Sequence, residues 1–287
     1  MTAMARFAKT NPISVGECGY VVDRLKYHAS RVIALAVVFA ITSAQAQVPC
    51  DGRLDALGTA RILNVDAVTT PRIGRKSFPE TLPLAPKEVV LTFDDGPWPG
   101  TTPRILDALK NECVRATFFL LGRNAIAHGD LARREIAEGH TVAYHTFSHP
   151  LLGRMRLDAA KAEIDRGFTS VDNAVYGKTG PEPATPFFRF PGFVSSPALL
   201  DYLERRGIVV FGADVWASDW LPMPANQQLQ LVFRRIEIAH GGIVLFHDTK
   251  TQTAAMLPGL LRELRGGGYR IVHVVPAPRT SSLALPK

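Results

Sequence analysis

The stretch V-V-L-T-F-D-D-G-P-W-P-G, Val89–Gly100, decides how the chain is read. With Glu88 before it, the apolar run over 88–93 has the length and composition of a buried strand. It ends in two adjacent acids, Asp94 and Asp95, and Gly96 and Pro97 then stop it. Like charges held close disfavour each other's ionisation, and burial adds to that penalty. A bound cation or a proton-transfer task would justify the pair. A solvated turn would also explain it, since Asp, Gly and Pro are ordinary turn residues.

The surrounding chain repeats the pattern. Further strand-like runs lie at 115–121, 140–145, 187–190, 207–213, 242–247 and 269–274. Helix-like segments separate most of them, at 102–111, 124–138, 157–175, 197–206, 225–239 and 252–265. Several end at a glycine, as at Gly139, Gly207 and Gly241, the usual helix stop. Strand–helix alternation predicts a parallel α/β architecture, and this many strands suits a nearly closed barrel in a single domain. Residues 47–85, rich in Pro and Gly, read as an extended lead-in, and 276–287 as a C-terminal tail.

In such barrels chemistry sits at the C-terminal strand ends. Asp94 and Asp95 follow the first run, and His145 and His149 the third. Arg189 lies near the end of the fourth, Asp214 and Asp219 follow the fifth, and His247 and Asp248 the sixth. Unrelated turn residues would seldom gather on one rim, so the solvated-turn reading loses ground. In H-T-F-S-H-P, 145–150, two histidines stand four apart, and one turn or a tight loop brings both to one side. Two imidazoles and a carboxylate are a common catalytic zinc set that leaves a position open for water. Two unrelated histidines would be the alternative.

T-F-D-D-G-P (92–97), H-T-F-S-H-P (145–150), R-F-P (189–191), D-W (219–220) and V-L-F-H-D (244–248) together resemble the polysaccharide deacetylases of the NodB-homology type, carbohydrate esterase family 4. The resemblance covers about residues 86–275. It implies a distorted (β/α)7 barrel and removal of N- or O-acetyl groups from a sugar polymer with one divalent ion, zinc first, with cobalt, nickel or manganese as alternatives. It also implies residue roles. Asp95, His145 and His149 would hold the metal, and Asp94 would be the general base, held by Arg189. His247 would be the general acid, oriented by Asp219.

The chain departs from the family pattern at R-F-P-G-F, where Gly192 and Phe193 stand in exchanged order. Gly192 could still offer its backbone N–H to an oxyanion, because that donor needs no side chain. A usual second aspartate of the fourth motif is Trp216 here, which leaves the nearby Asp214 in doubt as a site residue. Trp98, Trp216 and Trp220 are candidates for stacking on sugar, with core packing the alternative for the last two. Two other functions remain open: hydrolysis of a small amide or cyclic ureide on the same barrel, and carbohydrate binding without catalysis. The presence of both Asp94 and His247 disfavours the second.

Composition narrows the partners. Hydrophobic residues make up 46% and charged residues 21%, which excludes wholesale disorder. Residues 1–46 carry a net +3 from Arg6, Lys9, Arg24, Lys26 and Arg31 against Glu17 and Asp23, leaving +4 of the formal +7 for the rest. With no basic run of five, nucleic acid is not an expected partner, and an acetylated polysaccharide is. Cysteine supplies no metal motif, and Cys50 and Cys113 are free to pair in an oxidising compartment. Basic residues up to Arg31, the apolar run Val32–Ile41 and the small-residue site at Ala44 and Ala46 form the three parts of an export signal over 1–46. Periplasmic or extracellular location follows, with no membrane insertion after cleavage. Processed protein should therefore begin at Gln47. N-terminal sequencing that finds a start upstream of Val32 would contradict this.

Overall fold

The computed structural model describes residues 53, 55–178, 180 and 182–278. The expected export signal, Cys50 and residues 279–287 of the tail lie outside them. Cys113 is disulfide-bonded. No helix among the described residues is long and apolar enough to cross a membrane.

In chain order the elements are β1 (Thr59–Val65), β2 (Arg72–Ile73), β3 (Glu88–Asp94), α1 (Thr102–Asn111), β4 (Thr117–Leu120), α2 (Gly122–Ala127), α3 (Gly129–Ala137) and β5 (Thr141–Tyr144). Then follow α4 (Leu157–Tyr176), β6 (Phe187–Phe188), α5 (Pro197–Glu204), β7 (Val209–Phe211), β8 (Val215–Trp216), α6 (Ala225–Ala239), β9 (Gly241–His247), α7 (Thr251–Gly266) and β10 (Arg270–Pro276). All seven strand-like runs are strands, and each recorded pairing between strands is parallel. The sheet runs β8-β9-β3-β4-β5-β6-β7-β2. One edge of β3 pairs with β9 along its whole length. The other is shared, by β10 at residues 88–89 and by β4 at 92–94.

Two regions differ from the sequence expectation. The segment read as an extended lead-in contributes strands: β1 pairs with β10, and β2 with β7. Arg61 of β1 reaches across to the buried Glu88, donating from Nε at 3.0 Å and from Nη2 at 2.7 Å, and holds that carboxyl below its usual range. The segment expected as one helix over 124–138 breaks at His128, whose φ of −134° and ψ of 46° are not helical, and Gly129 restarts it as α3.

The strand pleat sorts residues between two cores. Val89, Leu91, Phe93, Phe118, Leu120, Val142, Tyr144, Val244 and Phe246 belong to the larger core with the helices. Their alternates Val90, Phe119, Ala143, Phe187, Phe211 and Ile243 fill the barrel interior, with Ile73 and Leu82. Because side-chain direction alternates along a strand, the interior-facing series continue to Asp94, His145, Arg189 and His247 at the strand ends. The polar rim is thus a consequence of strand parity.

The gap between β7 and β9 is bridged by residues 212–216. Gly212 N–H donates to the Ile73 carbonyl (2.6 Å), and Asp214 N–H to that of Ile243 (2.8 Å). The Asp214 carboxylate accepts from Arg75 N–H (2.9 Å), Ile243 N–H (2.8 Å) and Thr81 Oγ1 (2.7 Å). It fastens the lead-in to the sheet and does not line the rim cavity. Asp214→Ala leaves these donors without a partner. It should lower unfolding free energy by about 1–2 kcal/mol in denaturant titration, the lower part of the range for unsatisfied donors, because these three lie partly within reach of solvent. An unchanged midpoint would refute that role.

Candidate active site

Asp94 closes β3 with 2% of its surface exposed. Its Oδ1 accepts from Arg189 Nη1 at 2.7 Å. Arg189 is wholly buried and spends its other donors on Thr92 Oγ1 (2.9 Å), the Gly212 carbonyl (2.8 Å) and the Phe211 carbonyl (3.4 Å), with its guanidinium 4.2 Å from the Phe119 ring centre. Burial raises the pKa of Asp94, and Arg189 opposes that rise. The Asp94 carboxyl is therefore more basic than an exposed one.

Asp95 lies past the strand end at φ 79° and is turned elsewhere. Its Oδ1 is buried without a hydrogen-bond partner. The nearest groups are His149 Nε2 at 3.4 Å and His145 Nε2 at 3.6 Å. His145 Nδ1 is 2.8 Å from the Arg189 carbonyl, which fixes that nitrogen as the donor and leaves the Nε2 lone pair facing Asp95. Burial lowers the His145 pKa to about 3 against the pull of Asp95, so the ring is neutral. One ligand atom from each of Asp95, His145 and His149 lies within 4.8 Å of the other two. An orphaned carboxylate oxygen facing two imidazole nitrogens, one of them held as the free-base tautomer, fits a divalent ion with nitrogen and oxygen ligands.

The backbone is forced into this arrangement. Asp95, Thr146 and His149 all have positive φ (79°, 73° and 70°), a region unfavourable to side-chain-bearing residues that costs about 1–3 kcal/mol each. Two glycines let the turns close. A Cβ on Gly96 would lie 1.9 Å from Asp248 Oδ2, and one on Gly167 of α4 would lie 2.6 Å from the Thr146 carbonyl carbon. Asn124 Nδ2 donates to the Asp95 carbonyl at 2.7 Å and steadies the first turn.

Beside Asp94, at the paired position of β9, His247 Nδ1 is 2.7 Å from Asp219 Oδ1, and His247 N–H donates to Asp219 Oδ2 at 2.6 Å. Thr253 Oγ1 also donates to Asp219 Oδ2 (2.7 Å). Burial alone would depress the His247 pKa. The Asp219 hydrogen bond and charge, with Asp94 and Asp95, outweigh it and raise the value to about 9. The ring is therefore protonated at neutral pH, with Nε2 available to donate.

A cavity of about 460 Å³ joins these groups. Asp94, Asp95, His145, His149 and His247 line it, and Trp216, Trp220 and Phe193 form an aromatic wall. The R-F-P-G-F exchange is resolved locally. Gly192 has φ 57°, and a Cβ there would meet Leu151 Cδ2 at 3.0 Å, so the aromatic moves one place on. Phe193 then stacks on Trp216 at 6.0 Å and 16°. Phe193 and Val194 N–H groups go to the Phe190 and Pro191 carbonyls. Gly192 itself lines the cavity. Trp98 is not in this cavity; it stands on the far side of Asp95 and His149 in an adjoining cleft.

Sequence reasoning missed Lys250, which lines both spaces. It placed Asp248 at a strand end without a role; the residue is fully buried, accepts from Thr102 Oγ1 (2.6 Å) and is pushed up to about 7, chiefly by burial. His140 and His273 serve the fold: His140 Nδ1 accepts from Ala116 N–H (3.1 Å), and His273 Nε2 meets Thr141 Oγ1 (2.9 Å).

A family model described as polysaccharide deacetylase matches residues 82–211. A peptidoglycan-N-acetylglucosamine deacetylase of Listeria monocytogenes is 35% identical over 189 residues, covering 66% of this chain and 38% of that protein. A chitooligosaccharide deacetylase of Bradyrhizobium is 31% identical over 204 residues, 66% of this chain and 90% of that one. Among solved structures, a Bdellovibrio bacteriovorus peptidoglycan deacetylase superposes with a TM-score of 0.69 at 29% identity, covering 85% of this chain and 67% of that one. The chain belongs to the polysaccharide deacetylase family and has its α/β fold. It spans little more than a third of the length of the Listeria relative.

The different partners of the two aspartates give a direct test. Asp95→Asn should weaken zinc binding measured by titration against a chelating dye, with excess zinc partly restoring turnover. Asp94→Asn should leave zinc affinity nearly intact and lower turnover by about 10²–10⁴-fold, the range for lost acid–base catalysis. Equal zinc affinities for the two variants would defeat the distinction.

Proposed function

We propose that the chain is an exported, metal-dependent deacetylase that hydrolyses acetamido groups of a bacterial cell-wall glycan or a chitin-like oligomer. The observation that carries this reading is a carboxylate held by Arg189 beside an imidazolium held by Asp219, at paired positions of adjacent strands lining one cavity. A module that only binds sugar has no use for a buried base and a raised acid next to each other beside a potential metal site. The names of the relatives, which include peptidoglycan and chitooligosaccharide deacetylases, support the class of substrate.

Amide hydrolysis needs a nucleophilic water, a place for the negative charge on the carbonyl oxygen, and a proton for the departing nitrogen. Asp95, His145 and His149 would hold the ion, with zinc the first candidate. When bound, such an ion polarises a carbonyl and lowers the pKa of water. Asp94 takes a proton from the attacking water, and Arg189 keeps its carboxylate oriented. The N–H of Gly192 faces the developing oxyanion as a fixed donor. His247 Nε2 gives its proton to the amine nitrogen as the C–N bond breaks, yielding acetate and a free amino sugar. Trp216 and Trp220 offer apolar faces to the sugar ring.

Acetate release by zinc-loaded protein from peptidoglycan, chitin oligomers and acetylated xylan tests the function. Release from none of them, with zinc bound, would sink it. The pH profile tests the acid. His247 donates only while protonated, so activity should fall as pH rises through about 9. Asp219→Asn removes the groups that raise the value, so the alkaline limb should move to lower pH while zinc stays bound. An alkaline limb unmoved in Asp219→Asn would assign the proton to another group.

A further inference from the structure

The space beyond Asp95 and His149 is unlike the aromatic cavity. This adjoining cleft, about 520 Å³, is within the usual size of small-ligand sites, about 300–1,000 Å³. It shares Asp95, His149 and Lys250 with the cavity, and adds Trp98, Arg123 and Asn124. Trp98 is 47% exposed, lines the cleft and packs at a right angle to the His128 ring. Both Arg123 and Lys250 lack an acidic partner within ion-pair distance among the described residues. Arg61 and Arg189, by contrast, are neutralised by acids, Glu88 and Asp94. Ser148, the remaining polar hydroxyl of the cleft besides Thr249, is engaged by Glu163 at 2.6 Å.

Lys250 is also not an ordinary surface lysine. It is half-buried, its backbone caps the N-terminus of α7, and its side chain lines both the cavity and the cleft. The one acid in the cleft, Asp95, faces the two histidines and would be neutralised there by a bound cation. Two uncompensated cations beside an exposed indole form a site for a ring that carries a negative charge. The guanidinium fork of Arg123 suits a carboxylate in particular.

Resting on the deacetylase reading, we propose that this cleft is a subsite for a carboxylate-bearing sugar residue next to the acetamido sugar that reacts. The aromatic cavity then holds the neutral ring and the cationic cleft its acidic neighbour. An alternating glycan, in which every second amino sugar carries a lactyl ether, fits both halves at once. A homopolymer of neutral amino sugars leaves Arg123 and Lys250 unused.

The test compares two β-1,4-linked tetrasaccharides of N-acetylated amino sugars that differ only in a lactyl ether on alternate rings. Calorimetry on the zinc-loaded protein gives the ratio of their dissociation constants, and acetate release is followed separately. Wild-type protein should bind the lactyl-bearing chain at least about tenfold more tightly, the equivalent of one charge-assisted hydrogen bond. Arg123→Gln and Lys250→Gln should each bring the ratio toward one, and added salt should do the same in the wild type. Equal binding of the two chains by the wild type, no binding of either, or a ratio unchanged in both variants would overturn the subsite. A preference lost in the variants but without acetate release from either chain would instead refute the deacetylase reading and leave the subsite standing.

Discussion

The bond between Arg189 and Asp94 is the constraint on which the rest of the site depends. A guanidinium without solvent exposure is tolerable only if its charge and donors are met, and here an acid, a threonine hydroxyl and two carbonyls meet them. Asp94 Oδ1 is thereby committed to Arg189, while its Oδ2 lies 3.8 Å from His145 Nε2 at the edge of the candidate cation position. The carbonyl of the same arginine receives the His145 Nδ1 proton and so prepares Nε2 for a ligand role. One residue therefore holds the candidate base and sets the tautomer of a candidate metal ligand. Two adjacent acids can coexist at a buried strand end because they look in different directions, toward Arg189 and toward two histidines.

Rigid strands and strained turns divide the remaining work. Pleat parity carries Asp94, His145, Arg189 and His247 to the barrel interior without any special backbone. Asp95 and His149 lie beyond the strands and reach the same point only through positive φ, with Gly96 and Gly167 allowing the close packing that holds those turns. The cost is borne by the core beneath, where Phe93 stacks between Phe118 and Phe246 and fixes β3 against its neighbours.

How much of this was legible in the sequence depended on what each residue does locally. The seven main strands announced themselves as apolar runs because both faces are buried. β1 did not, since Arg61 and Asn64 interrupt a strand that is only partly covered, and β2 and β8 are two residues long. The break at His128 was hidden because both halves of the segment have helical composition. Asp94, Asp95, His145 and His149 stood out through their place after strands. The roles suggested for Arg189, Asp219 and Gly192 came from the family resemblance alone, since a buried arginine or a backbone donor leaves no periodic mark. Asp214 could be understood only from its three partners across the sheet. Lys250 was missed because a lysine in a loop reads as surface until its lack of a counter-ion is seen in three dimensions.

The central claim is that Asp94 and Asp95 divide the roles of base and metal ligand. A crystal structure of the zinc-loaded protein, with anomalous differences recorded across the zinc edge, examines it most directly. The account predicts one ion, bonded at about 2.0–2.2 Å to Asp95 Oδ1, His145 Nε2 and His149 Nε2. Asp94 should remain on Arg189, with its free oxygen facing the ion's open side. An ion ligated by Asp94, or a strong anomalous peak elsewhere with this triad empty, would contradict it.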